Sequence, residues 1–197
     1  MASDIKIGID IFKAVTRSIA HSEDLEVMSN HMTQLLVAAL DIKGCAIFVL
    51  NPVSEELEIL ASFGLSAKYL SKGPLSAPKS INDTFRGKAV IIPDVEKDNK
   101  LQYPEEAKKE GIAALVSLPI VFLDEVIGVL RLYHYQAWQV SDQDMDSLKL
   151  LSDNIGLAMT YTRFRNAVYS IGEIIGDTFQ IQLSPNLSKS IGGNHSG

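Results

Sequence analysis

A chain of 197 residues with 46% hydrophobic side chains has the material for one domain with a substantial core plus terminal extensions. Its net charge of −6, from 18 basic and 24 acidic residues with no basic run longer than Lys108-Lys109, argues against a nucleic-acid surface. No apolar run approaches the ~20 residues of a membrane span, the start MASDIKIGIDIF lacks the unbroken apolar stretch of a signal peptide, and the lone Cys45 excludes an intrachain disulfide or a multi-cysteine metal site, so a cytoplasmic protein is expected.

Ile5, Ile9, Phe12 and Ile19 recur at three- and four-residue steps with one near miss, predicting a first helix from about Ile5 to Ala20. Ser22, followed by Glu23 and Asp24, is the expected N-cap of a second helix whose apolar face carries Leu25, Met28, Met32, Leu35, Leu36 and Ala39. Cys45–Leu50 and Leu57–Phe63 read as a hairpin turning at Asn51–Ser54. Gly64–Ser80 loses all periodicity and is read as an ordered loop. Ser80 then caps a short helix ending at Gly87, with its first free amides near Ile81 and Asn82.

Ala89–Ile92 is expected as a strand and Tyr103–Glu110 as a polar surface helix. Gly111–Tyr135 reads as two long buried strands that reverse at Asp124-Glu125, with the first an edge or bulged at Pro119, which has no amide donor. Ser141 with Asp144 three residues on opens a last helix running to about Asn166. Val168, Ile171, Ile174, Ile175 and Phe179 can prolong it, against the cost of Gly172 and Gly176, about 1 kcal/mol each relative to alanine. The Ser-, Asn- and Gly-rich end has little to bury.

Three segments carry a family likeness. Thr84–Val95 (TFRGKAVIIPDV), the turn Glu110–Ala114 into Ser117-Leu118-Pro119-Ile120, and the strand Val126–Leu130 together resemble the signature of GAF domains, small ligand-sensing modules. The resemblance covers about residues 9–166. It implies an α+β, GAF/PAS-like fold: a central antiparallel sheet of five or six strands, the N- and C-terminal helices on one face, and a cap of loops and short helices over the other, beneath which family ligands bind. On this reading residues 1–8 are an N-terminal extension, 9–166 the domain, 167–182 a C-terminal helical extension and 183–197 a flexible tail.

Tyr69, Ile81, Phe85 and Tyr103 cannot form a core of their own and are expected to pack down onto the open sheet face, either lining a pocket or plugging it. The candidate pocket residues are Phe63, Ser80, Ile81, Asn82, Phe85, Tyr103, Ser117 and His134.

Cyclic-nucleotide-binding members of the family carry an Asn-Lys pair where this chain has His134-Tyr135, and of their following acidic signature only Asp144 is kept, which argues against that ligand. The family's free methionine sulfoxide reductases need a second cysteine to complete thiol chemistry. Cys45 falls in a predicted strand, where a thiol behaves as a small hydrophobe and sits wrongly for a bilin linkage. His134, near Tyr133, Tyr135 and Trp138, is the one residue placed to ligate haem or a metal, and it has no partner ligands in the sequence pattern. No catalytic residue, metal or cofactor is predicted. The expected function is a non-enzymatic sensor of an unknown small molecule, homodimeric through its terminal helices and acting on a signalling partner in trans. A ligand-free dimerisation scaffold is the alternative, with an enzyme or haem sensor behind both.

Overall fold

The structure, a computed structural model, describes residues 7–22, 24–51, 53–54, 56–73, 82–98 and 101–183, and side chains as far as residue 175 apart from Asn82. Two units are distinguished, Met1–Thr160 and Tyr161–Gly197.

Helix α1 (Ile9–Ala20) is followed by α2 (Leu25–Leu40). The cap of α2 is Asp24 and not the expected Ser22: its carboxylate accepts the Val27 N–H at 2.9 Å. An aspartate there both satisfies a free amide and puts negative charge at the positive end of the helix. On α1 Phe12 packs partly into the core and Ile9 is exposed, while Ile5 lies outside the described residues.

Five strands follow in the spatial order β2-β1-β5-β4-β3, all pairs antiparallel. They are β1 (Gly44–Leu50), β2 (Leu57–Phe63), β3 (Val90–Ile92), β4 (Ala114–Phe122) and β5 (Glu125–His134). The β4–β5 reversal is made by Leu123 and Asp124, both at positive φ (49° and 63°). Two successive left-handed residues match the twist of the flanking strands, so the turn sits one residue earlier than the acidic pair suggested, and Glu125 already pairs with Phe122. Pro119 behaves as its missing amide demands. β3 pairs only with Leu115–Ser117, leaving Pro119 beyond its end, and the β4–β5 register shifts between Ile120 and Val121.

Alternation along the strands divides the interior in two. Cys45, Ile47, Val116, Leu118, Ile120, Leu130 and Leu132 point to a core shared with Val15, Met28, Met32 and Leu36 of α1 and α2 and with Leu148, Leu151 and Ile155 of the last helix. Ala46, Phe48, Ile92, Leu115, Val129 and Tyr133 point the other way, under a cap that contributes Tyr69, Val95, Leu101, Ala107 and Ile112. The cap contains three short helices among the described residues: α3 (Ala67–Leu70), inside the stretch expected to be loop, α4 (Asn82–Phe85) and α5 (Pro104–Glu110).

The last helix, α6, runs from Asp142 to Leu183 without a break at Asn166 or Gly172. Ser141 opens it as expected, its hydroxyl accepting the Asp144 N–H at 3.1 Å and donating to the Asp144 carboxylate at 2.6 Å. Within the first unit α6 lies very close to β4. The buried Ser152 hydroxyl donates to the Pro119 carbonyl at 2.6 Å, and a β-carbon added at Gly156 would stand 2.6 Å from the Val121 carbonyl oxygen. Among the described residues no helix is long and apolar enough to cross a membrane.

Candidate functional site

The cap side of β5 carries Val129, Arg131 and Tyr133 in alternation. Arg131 is a cation inside an otherwise apolar strand, 1% exposed, and a charge is held there only with compensating partners. Ser117, its register partner on β4, supplies one: Arg131 Nε donates to Ser117 Oγ at 3.3 Å. Beside it Tyr69 of α3 meets Tyr133 edge-to-face, with ring centroids 5.8 Å apart. Burial pushes both tyrosine hydroxyls upward in pKa, so neither is a source of negative charge at neutral pH.

Lys72 follows α3 and brings a second cation. Its ammonium lies 3.7 Å from the centroid of the Tyr69 ring and 5.8 Å from that of Tyr103, and donates to the Tyr69 carbonyl at 3.0 Å. Burial first, then the charge of Arg131, pushes its pKa down to about 8, while Glu110 and Glu106 act the other way. A cavity of about 300 Å³ opens at this point, lined by Phe48, Leu57, Ile59 and Leu70 on its apolar side and by Lys72 and Glu58 on its polar side. α3 is braced to α5 through Glu110, whose carboxylate accepts the Ser66 N–H at 2.7 Å and the Ser66 hydroxyl at 2.5 Å. Burial raises the Glu110 pKa, but these bonds and the charges of Lys43 and Lys72 outweigh it and hold it below the usual carboxylate range.

The predicted site residues do not come together as one group. Ser117 floors the cap side, and Phe85 and Tyr103 pack partly against the same cluster. Ser80 and Ile81, with the proposed serine cap, and the side chain of Asn82 lie outside the described residues.

Phe63 and His134 belong to the opposite face. Phe63 pairs with Cys45, whose side chain is in the helix-side core, and is 45% exposed. His134 follows Leu130 and Leu132 in phase and stacks near Trp138 of that core at 5.4 Å between ring centroids. The pleat gives the reason: Tyr133 faces the cap, so its neighbour cannot. His134 Nδ1 accepts the Gln136 N–H at 2.9 Å, and burial pushes its pKa below the usual histidine value. Cys45 is fully buried on the helix side, and burial pushes its thiol up in pKa, so no thiolate is presented to the cap. Arg131 and Lys72, which the sequence reading did not select, are cations of the site, beside the carboxylate of Glu58. A single charged residue between Leu130 and Leu132, in a strand apolar on both faces, was the available signal.

A five-stranded antiparallel sheet with helices on one face, and short elements roofing a buried arginine on the other, defines an α+β capped-sheet module. Residues 22–160, more than half of the chain, match the family model described as GAF domain, and the chain belongs to the GAF domain family.

Solved structures agree in fold. The GAF domain of a phosphoenolpyruvate-protein phosphotransferase from Coxiella burnetii superposes with a TM-score of 0.72 at 18% identity, over 84% of this chain and 99% of that one. Free methionine-R-sulfoxide reductase from Neisseria meningitidis, solved with its substrate, gives 0.68 at 15% identity, over 84% and 97%. The phycocyanobilin-bound GAF domain of a cyanobacterial phytochrome gives 0.65 at 18% identity, over 82% and 98%. No curated protein matches the chain in sequence.

Proposed function

We propose that this GAF domain is a non-enzymatic, cytoplasmic sensor whose ligand is a small molecule with an apolar body and an anionic end, bound between the cap and the sheet. One observation carries the reading: the cap side holds two cations, Arg131 buried on β5 and Lys72 seated 3.7 Å from the Tyr69 ring centroid, with burial and then the charge of Arg131 pushing the Lys72 pKa down to about 8, beside a cavity walled by Phe48, Leu57, Ile59 and Leu70. An anion at Lys72 relieves the repulsion between the cations, and the apolar wall takes the rest of the molecule. The non-enzymatic part rests on Cys45, the one thiol, facing away from this cavity. Occupancy is read out through a second copy of the chain, for which the exposed Ile171, Ile174 and Ile175 of α6 supply apolar surface, and through a signalling partner in trans.

The test is thermal unfolding of freshly purified protein with octanoate, phenylacetate and phenyl phosphate against the matching neutral amides and phenol, with native mass spectrometry for any retained molecule. Stabilisation by an anion and not by its neutral counterpart, with affinity reduced about tenfold in Lys72→Met, is expected, the ~1.4 kcal/mol equivalent of one charge-assisted hydrogen bond. No retained mass and no stabilisation by any anion would leave the ligand-free scaffold as the better reading, with Tyr69, Tyr133 and Phe48 as filling rather than lining.

A further inference from the structure

Lys13, Lys43, Lys97, Lys108 and Lys149 each hold a carboxylate within 3.8 Å. Lys72 is placed differently. Among the described residues no carboxylate lies within ion-pair distance of its amine, which sits over the Tyr69 ring and is tied through one N–H to the Tyr69 carbonyl at 3.0 Å. The next residue, Gly73, lines the same cavity as Lys72, and a β-carbon added there would stand 2.7 Å from the Tyr103 hydroxyl. The backbone that carries the amine is thereby held against Tyr103 with no room for a side chain between them.

We propose that Lys72 is a covalent attachment site, at which the amine condenses reversibly with the carbonyl carbon of an apolar aldehyde whose chain lies along Phe48, Leu57, Ile59 and Leu70. The inference shares the cavity of the sensor reading but asks for an electrophilic carbon in place of an anion. A lysine amine becomes a nucleophile near neutral pH when it is withdrawn from water into apolar surroundings or set beside another cation. Both conditions hold here: burial acts first and the charge of Arg131 next, against Glu110 and Glu106 of α5, and together they bring the Lys72 pKa to about 8. At about pH 7 its free-base fraction is then on the order of 300 times that of a lysine at the usual 10.5. With one N–H on the Tyr69 carbonyl, the lone pair of the neutral amine remains for the electrophile.

The condensation needs no oxidant or reductant. The nitrogen adds to the carbonyl carbon while one amine proton passes to the carbonyl oxygen, giving a carbinolamine. That oxygen then leaves as water with the second amine proton, and a C=N bond remains. The Glu58 carboxylate, which lines the same cavity, is a proton carrier within it. An unprotonated imine also places no second positive charge beside Arg131, so condensation removes the repulsion that the ammonium suffers. A terminal aldehyde is the class that fits, because it has one chain to place and the cavity of about 300 Å³ offers one apolar wall.

The test is reductive trapping of the full-length protein with cyanoborohydride and octanal or acetaldehyde at about pH 7, followed by peptide mapping for a mass increment equal to the aldehyde less its oxygen. Octanal is expected to label Lys72 at least about tenfold more than any other lysine, since the weaker basicity of this amine offsets only part of its free-base advantage. The α-amino group, with a usual pKa of about 7.7–8.0, is the internal control for basicity without a cavity. Lys72 is expected to prefer octanal over acetaldehyde by at least about tenfold more than that group does, as burial of several methylenes at about 0.8 kcal/mol each allows, and to lose the preference in urea. Label spread evenly over the lysines, no chain-length preference at Lys72, or a preference that survives urea would each overturn the proposal. Stabilisation by anions is measured without aldehyde, so its presence alongside a failed trapping leaves the sensor reading standing, and trapping at Lys72 without it sinks the anionic ligand alone.

Discussion

Replacing Gly156 by alanine is expected to destabilise the fold, although alanine is the better helix former. Glycine within a helix costs about 1 kcal/mol relative to alanine, so propensity alone favours the change by that amount. The new β-carbon, however, would stand 2.6 Å from the Val121 carbonyl oxygen and 3.1 Å from Ile120 Cγ2. A comfortable carbon–oxygen approach is about 3.3–3.6 Å, so α6 would have to lift from β4 by roughly 0.7–1 Å. That lift would stretch the 2.6 Å Ser152–Pro119 bond one turn away to the limit of hydrogen bonding. Losing it costs about 1 kcal/mol, and forcing extra volume into a packed core costs about 1–3 kcal/mol. The net is a loss of about 1–3 kcal/mol, equivalent to roughly 2–12 °C in Tm at this chain length.

The assay is urea and thermal unfolding of Gly156→Ala beside Gly172→Ala, where an added β-carbon meets nothing within 4 Å and the propensity gain stands unopposed. A Gly156→Ala protein as stable as wild type, or more so, would refute the close approach of α6 to the sheet.

Ser152→Ala leaves the buried Pro119 carbonyl without its donor and is expected to lower unfolding free energy by about 1–3 kcal/mol in urea titration. Lys72 has its folded pKa, about 8, below its unfolded value of 10.5. The unfolded chain therefore binds more protons between these values, and stability rises with pH across about 8–10; the wild-type minus Lys72→Met difference in urea midpoint is expected to show that rise, since the tyrosines contribute equally to both. His134 also has a lowered folded pKa, so its contribution is fully present above the unfolded value of about 6.5 and lost as pH falls below it. Protonation beside Trp138, the single tryptophan, is expected to quench fluorescence with a midpoint below pH 6.5 in wild type and not in His134→Gln.

The framework was legible where local chemistry and burial agree. Leu57–Phe63 appears as a strand with the bounds its alternation predicted, and Ser141 with Asp144 marks the start of α6 because a capping box depends only on residues in reach of each other. Pro119 announced an edge because a missing amide is intolerable elsewhere. α3 was missed: four residues carry no period, and its helical turn is fixed by Ser66, which accepts the Tyr69 N–H while donating to Glu110, 44 positions away.

The candidate site was harder to read for a related reason. Which side of the sheet a residue faces depends on strand phase, and one position separates Tyr133, under the cap, from His134, against Trp138. Ser117, expected at the pocket, lies on the cap side with Arg131, out of phase with Leu118 and Ile120 of the same strand. Arg131 and Lys72 come from β5 and from the end of α3, and only the folded chain brings their charges together.

β5, third of the five strands, has a consequence for how this domain can change. Its odd-numbered residues from Val129 to Tyr133 serve the cap and its even-numbered ones from Leu130 to His134 serve the helices, so the two tasks are interleaved along one strand yet hardly share a side chain. The chemistry of the cap side can drift by substitution at 129, 131 or 133 while the helix-side packing stays intact. The backbone itself is common property: a molecule that tilts the peptide planes around Arg131 must also tilt those carrying Leu130 and Leu132. Chemistry on one surface is thereby separable in sequence from mechanics on the other, and inseparable from it in motion.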